Sequence, residues 1–302
     1  MKKTTLLFLT FFLTAGLLYP RQIRLLTIGN SFSEDAVEHF LYGLAAAEGD
    51  TIVIGNMYIG GCSLETHYAN ALNDAPAYSY RKIVGGRKHI IPNYKLSEAL
   101  VDEEWDYISF QQVSSLSGKY ETYFPYITFL KKYAEDHLLN RNARFILHVT
   151  WAYAGDSTHE GFANYNRDQL TMYHAIIDAT KRVAETTGIA VMIPAGTAIQ
   201  NGRTSPLGDS FCRDGFHLQL TYGRYTASCT WYEILFGKSV VGNSYLPQEI
   251  TPCQALIAQL SAHYAVRNPF EITPVVLCEA FWPFPFRVTI VDLLRGVSRP
   301  VC

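Results

Sequence analysis

The feature that most constrains this chain is a series of short apolar segments, each separated from the next by residues at helical spacing. Residues 23–28 (IRLLTI) end at Gly29, and residues 51–59 end at Gly60-Gly61. Residues 106–110 end at Gln111-Gln112, and residues 144–149 (RFILHV) and 189–193 complete the series. Between the first two, Val37, Phe40, Leu41 and Leu44 mark a helix that Ser33 is placed to cap. Glu34 and Asp35 stand in its first turn, where carboxylates suit the dipole, and Gly49 closes it. Residues 63–72, 96–105 and 126–139 supply further helices. The longest, 166–185, puts Leu170, Tyr173, Ile177 and Ala184 on one face before Gly188. Residues 220–236 form the last clear helix, and residues 78–93 read as a surface hairpin or loop.

Five apolar strands alternating with helices, with no hairpin pair among them, predict an α/β fold: a five-stranded parallel sheet covered on both faces. Ligands of such sheets bind at the carboxyl ends of the strands. That rule singles out residues 29–33, 60–63, 111–115 and 150–153, and the loop after Pro194.

Composition narrows the partners. The chain is 48% hydrophobic and 17% charged, enough to bury a sizeable core. Lys plus Arg number 25 against 27 Asp plus Glu, so there is no basic excess to neutralise nucleic acid. At the N-terminus, Lys2 and Lys3 precede an apolar run from Leu6 to Leu18, the pattern of a secretory signal over residues 1–21. The run is too short for a comfortable membrane span, so no stable span is expected once it is removed. An uncleaved anchor is the alternative, since no small-x-small site precedes Arg21. The expected destination is the periplasm or the exterior. Residues 22–240 then form the main domain, and 241–302 an extension of unclear structure that includes Phe281-Trp282-Pro283-Phe284-Pro285-Phe286.

Six cysteines (62, 212, 229, 253, 278 and 302) in an exported chain could form disulfides, in any of 15 full pairings. None lies in a CxxC or at zinc-ligand spacing. Cys62 reads as a small buried apolar residue.

Candidate chemistry begins at Gly29-Asn30-Ser31-Phe32-Ser33. Ser31 stands between the first strand and its helix, with its amide at a helix N-terminus, a ready donor to a developing oxyanion. A serine nucleophile needs a base, and the base needs an orienting group. Asp214-Gly215-Phe216-His217, just before the last helix, supplies both. His39 and His67 read as ordinary helix histidines and His148 as a hydrogen-bonded core residue. His148, Asp156 and His159 lack a metal-site spacing. Trp151 and Tyr153, at the end of the fourth strand, could line a pocket or fill space.

These two blocks resemble the first and last motifs of the SGNH (GDSL-type) hydrolases over roughly residues 22–240. The resemblance implies a flavodoxin-like three-layer α/β/α domain that hydrolyses carboxylic esters without cofactor or metal. It makes Ser31 the nucleophile, His217 the general base and Asp214 its orienting group. It also implies an oxyanion hole made by the amides of Ser31 and of a glycine at the second strand end, Gly60 or Gly61, of which Gly61 is taken because it lies nearer the following helix. The family's third motif, G-x-N-D, is replaced here by Phe110-Gln111-Gln112-Val113-Ser114. A glutamine amide carries the same NH₂ donor as the missing asparagine, so Gln111, or else Gln112, is expected to complete the hole in an atypical branch of the family. Gly208-Asp209-Ser210-Phe211 looks closer to the family's letters, but no apolar strand immediately precedes it, and Ser210 reads as a loop residue. The expected substrate is a small-molecule or carbohydrate ester bearing a short acyl group such as acetyl. The alternatives are a non-catalytic carbohydrate-binding protein on the same fold, or a lipid or aryl esterase.

Overall fold

The computed structural model describes residues 20–277. Five strands run parallel: β1 (Gln22–Gly29), β2 (Thr51–Tyr58), β5 (Tyr107–Phe110), β6 (Arg144–His148) and β7 (Val191–Ile193). Their order, β2-β1-β5-β6-β7, is the doubly wound flavodoxin-like arrangement. The sheet has seven strands rather than five, because β3 (Tyr78–Val84) and β4 (Arg87–Tyr94) extend it beyond β2 as an antiparallel hairpin. This hairpin is the polar, aromatic stretch 78–93. Almost all of β4 is exposed, so it lacks the apolar run that marks a covered strand.

Successive strand residues feed two separate cores. Leu25, Ile54, Tyr107 and Ile146 face one side, with α1 (Ser31–Val37), α2 (Leu41–Ala47), α7 (Ala195–Arg203), α8 (Tyr222–Phe236) and α9 (Pro252–Arg267). Leu26, Val53, Ile108 and Leu147 face the other, with α3 (Leu64–Leu72), α4 (Leu96–Leu100) and α5 (Tyr126–His137). α6 (Gln169–Thr187) contributes to both. The result is a mostly parallel sheet between two helical layers.

Local details depart from the sequence reading in five places, the first being α4, which ends at Leu100 instead of running on to residue 105. Ser33 does not cap the first helix. Asn30 does, its Oδ1 accepting from the Phe32 amide at 3.0 Å, while the Ser33 hydroxyl donates to the Asn30 carbonyl at 2.7 Å. The helix predicted to run on to Glu48 breaks between α1 and α2, and His39 lies in that bend. On α6, Leu170 is 47% exposed, and the buried face runs through Met172, Tyr173, Ile176, Ile177 and Val183. Beyond residue 240, α9 packs on α7 and α8, its N-terminus closed by a Thr251–Gln254 capping box. The aromatic motif at 281–286, and the leader at 1–21 except for Pro20 and Arg21, lie outside the described residues. Among the described residues no helix is long and apolar enough to cross a membrane.

Candidate active site

The strand order reverses between β1 and β5, and the crevice outside their carboxyl ends is where such a sheet binds ligands. Ser31 sits there, as the first residue of α1. The leading N–H groups of a helix have no intrahelical acceptor, so the Ser31 amide is available to an anion in this crevice.

His217 reaches Ser31 from a narrow loop between α7 and α8. Two backbone hydrogen bonds close the loop, Gln219 to Phe211 at 2.7 Å and Arg213 to His217 at 2.9 Å, and Cys212 and Leu218 bridge across it. At its tip Gly215 has φ +86°, and a Cβ there would lie 2.9 Å from Ser157. Only glycine fits that turn without strain.

His217 Nε2 lies 2.9 Å from Ser31 Oγ, and His217 Nδ1 lies 2.7 Å from Asp214 Oδ2. The other carboxylate oxygen, Oδ1, accepts from the His217 and Phe216 amides at 2.8 and 3.2 Å. Partial burial raises the Asp214 carboxyl, but the His217 ring and these amides outweigh it, holding the group below its ordinary value. An ionised carboxylate only accepts, so Nδ1 must carry the ring proton. Nε2 is then left as the acceptor facing the serine hydroxyl, the tautomer a general base requires.

The structure therefore brings Ser31, His217 and Asp214 together in one hydrogen-bonded line. Gly61 lies in the loop after β2. It is exposed, at φ +63°, with open space where a side chain would stand. That loop is tied to the nucleophile's loop by Asn30 Nδ2, which donates to the Cys62 carbonyl at 2.9 Å.

Both glutamine side chains bond to partners other than Ser31. Gln111 Nε2 donates to Asn30 Oδ1 at 2.7 Å, and its Oε1 lies 2.9 Å from His148 Nδ1. Gln112 Oε1 accepts from the Leu64 and Val113 amides, and its Nε2 donates to Thr122. Both side chains are buried and committed to protein partners, so their donors support the strand-end loops from beneath. Trp151 and Tyr153 are likewise not pocket residues, because each is 0% exposed. Trp151 stacks on Phe32 at 4.2 Å and donates to the Phe216 carbonyl, while the Tyr153 hydroxyl meets Ser114 at 2.8 Å. The rings beside His217 are instead those of Phe216 and His159, both half-buried and 4.7 Å apart. Beside the Gly61 loop opens a depression of about 240 Å³ lined by Ser63, Glu65, Gln112, Leu116, Glu121, Thr122, Phe124 and Tyr126.

Asn30 was missed as a functional candidate, although it adjoins Ser31. Its side chain accepts from Phe32 and Gln111 and donates to Cys62, joining the ends of β1 and β5 to the loop after β2. The remaining candidates have structural places. Ser210 is an exposed loop residue bonded to Leu207 and Tyr222. His67 meets the Tyr78 hydroxyl at 3.1 Å. Cys62, Cys212 and Cys229 are free thiols, and burial pushes the Cys62 thiol up to about 12. Among the described residues no group of three or more His, Cys, Asp or Glu is arranged to hold a metal ion.

Fold and site together define a doubly wound α/β protein with a hydrogen-bonded Ser-His-Asp line at the carboxyl edge of its sheet. The chain belongs to the family described as domain of unknown function DUF4886, whose model matches residues 24–265. A DUF4886 family protein from Bacteroides uniformis ATCC 8492 is 49% identical, over 84% of this chain and 98% of its own, with a TM-score of 0.83. LAE5, an α/β hydrolase from the metagenome of Lake Arreo, Spain, is 12% identical over 72% of this chain and 95% of its own, at a TM-score of 0.44. Axe2, an acetylxylan esterase from Geobacillus stearothermophilus, is 12% identical over 75% and 97%, at a TM-score of 0.45. No match was found among curated proteins.

Proposed function

We propose that the protein is an exported serine esterase of the SGNH type. The observation that carries this reading is the contact of Ser31 Oγ with His217 Nε2 at 2.9 Å, with Asp214 on the far side of the ring. His217 takes the Ser31 proton as Oγ attacks an ester carbonyl, and the Asp214 carboxylate stabilises the imidazolium that forms. The proton then passes to the departing alcohol, leaving an acyl group on Ser31. Water, deprotonated by His217, releases that group as a carboxylate and restores the serine.

The oxyanion of each tetrahedral intermediate lies toward the Ser31 amide and, in this reading, the Gly61 amide. Gln111 acts one layer further out, holding Asn30 and through it both donor-bearing loops. The substrate we propose is a carbohydrate ester with a small acyl group, acetyl above all. The mixed polar and aromatic lining of the depression beside Gly61 suits the hydroxyl-bearing alcohol part. Export rests on the basic, then apolar, N-terminal sequence.

Hydrolysis of p-nitrophenyl acetate by the protein without residues 1–21, beside its Ser31→Ala variant, tests the reading. Turnover lost in a folded variant is the expected result. Equal rates in both would exclude Ser31 as the nucleophile. Comparing acetyl with octanoyl esters separates the carbohydrate-type reading from a lipid esterase.

A further inference from the structure

Asp35 is a buried carboxylate that the reaction above does not use. It lies four residues after Ser31 on α1, one turn further along and on the same face. Its side chain is 1% exposed and meets three groups from elsewhere in the chain. Arg224 Nε, on the first turn of α8, donates to Oδ1 at 2.7 Å. Arg213 Nη1 lies 3.1 Å from Oδ2 and 3.3 Å from Oδ1. The Leu218 amide donates to Oδ2 at 2.8 Å.

Two of those partners flank the catalytic pair in sequence: Arg213 precedes Asp214, and Leu218 follows His217. Arg213 Nη1 also donates to the Leu218 carbonyl, so the guanidinium closes the neck of the loop while Asp35 holds the neck to α1. The tip is held from the opposite side. Ala154 donates its amide to the Gly215 carbonyl at 2.8 Å, and the Trp151 indole donates to the Phe216 carbonyl at 2.7 Å.

We propose that Asp35 is a positioning residue that sets the distance and angle between Ser31 and His217, by fixing both ends of the 213–218 loop to the helix that carries the nucleophile. A buried carboxylate placed only to hold α1 against α8 would need Arg224 alone. Its second oxygen is instead given wholly to the loop. The proposal rests on the esterase reading for its kinetic consequence, but not for its structural one.

In Asp35→Asn the neutral amide oxygen can still accept one hydrogen bond but no longer pairs with two cations. We expect kcat on p-nitrophenyl acetate to fall by about 10–100-fold with KM changed by less than about threefold, the signature of misplaced reacting groups rather than of weakened binding. The His217 Nδ1 proton, followed by nuclear magnetic resonance, should exchange faster with water in the variant, while its circular dichroism stays that of the parent. This second readout needs no turnover. A wild type without esterase activity would defeat the esterase reading and leave the clamp to be decided by the proton. Should Asp35→Asn fail to fold, Arg213→Gln keeps Asp35 paired with Arg224 and Leu218 and loosens only the neck. The same loss of kcat and faster exchange are expected there, with partial recovery in Arg213→Lys. A folded variant that keeps the parental exchange rate of the His217 proton overturns the proposal.

Discussion

The two sides of the crevice are built differently. On the side of the base, the loop carrying Asp214 and His217 is held at its neck by Asp35 and at its tip by Ala154 and Trp151, and glycine alone suits its turn. On the acceptor side, Gly61 stands exposed with nothing near its missing side chain, and its loop is joined to the nucleophile's loop through Asn30. Groups that exchange a proton must keep their separation to within a few tenths of an ångström, whereas the side that receives an ester needs room. In the proposed esterase reading, the first side carries the chemistry and the second admits the substrate.

The deepest break in that contrast is removal of the proton-exchanging pair. Ser31→Ala or His217→Ala should each lower kcat on p-nitrophenyl acetate by at least about 10⁴-fold, and the double variant should lose little more, because the two act as a unit. Steady-state rates of the three variants check this. Asp214→Asn should lose roughly 10³–10⁴-fold, because the carboxamide can leave the ring in the wrong tautomer.

Gln111→Glu sharpens the comparison from below. The carboxylate can still accept from His148 but faces Asn30 Oδ1 without a donor, so both loops lose their shared support. Thermal denaturation should show a loss of about 1–3 kcal/mol. The same variant should show a drop in kcat smaller than the roughly 10²–10³-fold expected of a direct oxyanion donor. A drop as large as that would place Gln111 in the hole itself.

Acid stability tests the packing around these loops. Burial lowers His67 and His148 to about 3 and His39 to about 4, against 6.5 for an ordinary histidine. Each is neutral when folded and gains a proton more readily when unfolded. Their contribution is complete above pH 6.5, is lost as pH falls below it, and levels off near each folded value. The limiting slope is about 1.4 kcal/mol per pH unit per histidine. Urea denaturation between pH 7 and 4 should show this decline, and His148→Gln should make it shallower. A flat profile would mean that these rings are already charged or solvated in the folded protein.

The parallel core and the Ser31-His217-Asp214 line were legible because both rest on strong local signals: apolar runs broken by glycine, and a D-x-x-H turn ahead of a helix. The hairpin at 78–93 was legible too, but its place in the sheet was not, since β4 buries almost nothing and β3 joins β2 antiparallel without a long apolar run. α9 carried a readable signal in Thr251-Pro252-x-Gln254, a capping box with proline in the first turn, placed in a tail whose later residues are rich in proline. The orientation of Gln111 was beyond sequence, because a carboxamide donates and accepts equally well and only its neighbours decide which. Trp151 and Tyr153 follow a strand end, and from there the backbone turns both rings inward. Asp35 was visible only as a first-turn carboxylate, because its partners lie 178 to 189 residues away.

The central claim is that Ser31 is a nucleophile activated by His217. Labelling with a fluorophosphonate, followed by mass spectrometry of the peptides, tests it most directly, because the reagent captures only an activated serine. An adduct on Ser31 that disappears in folded His217→Ala is the predicted result. No adduct in the wild type, or one on another serine such as Ser210, would contradict the claim.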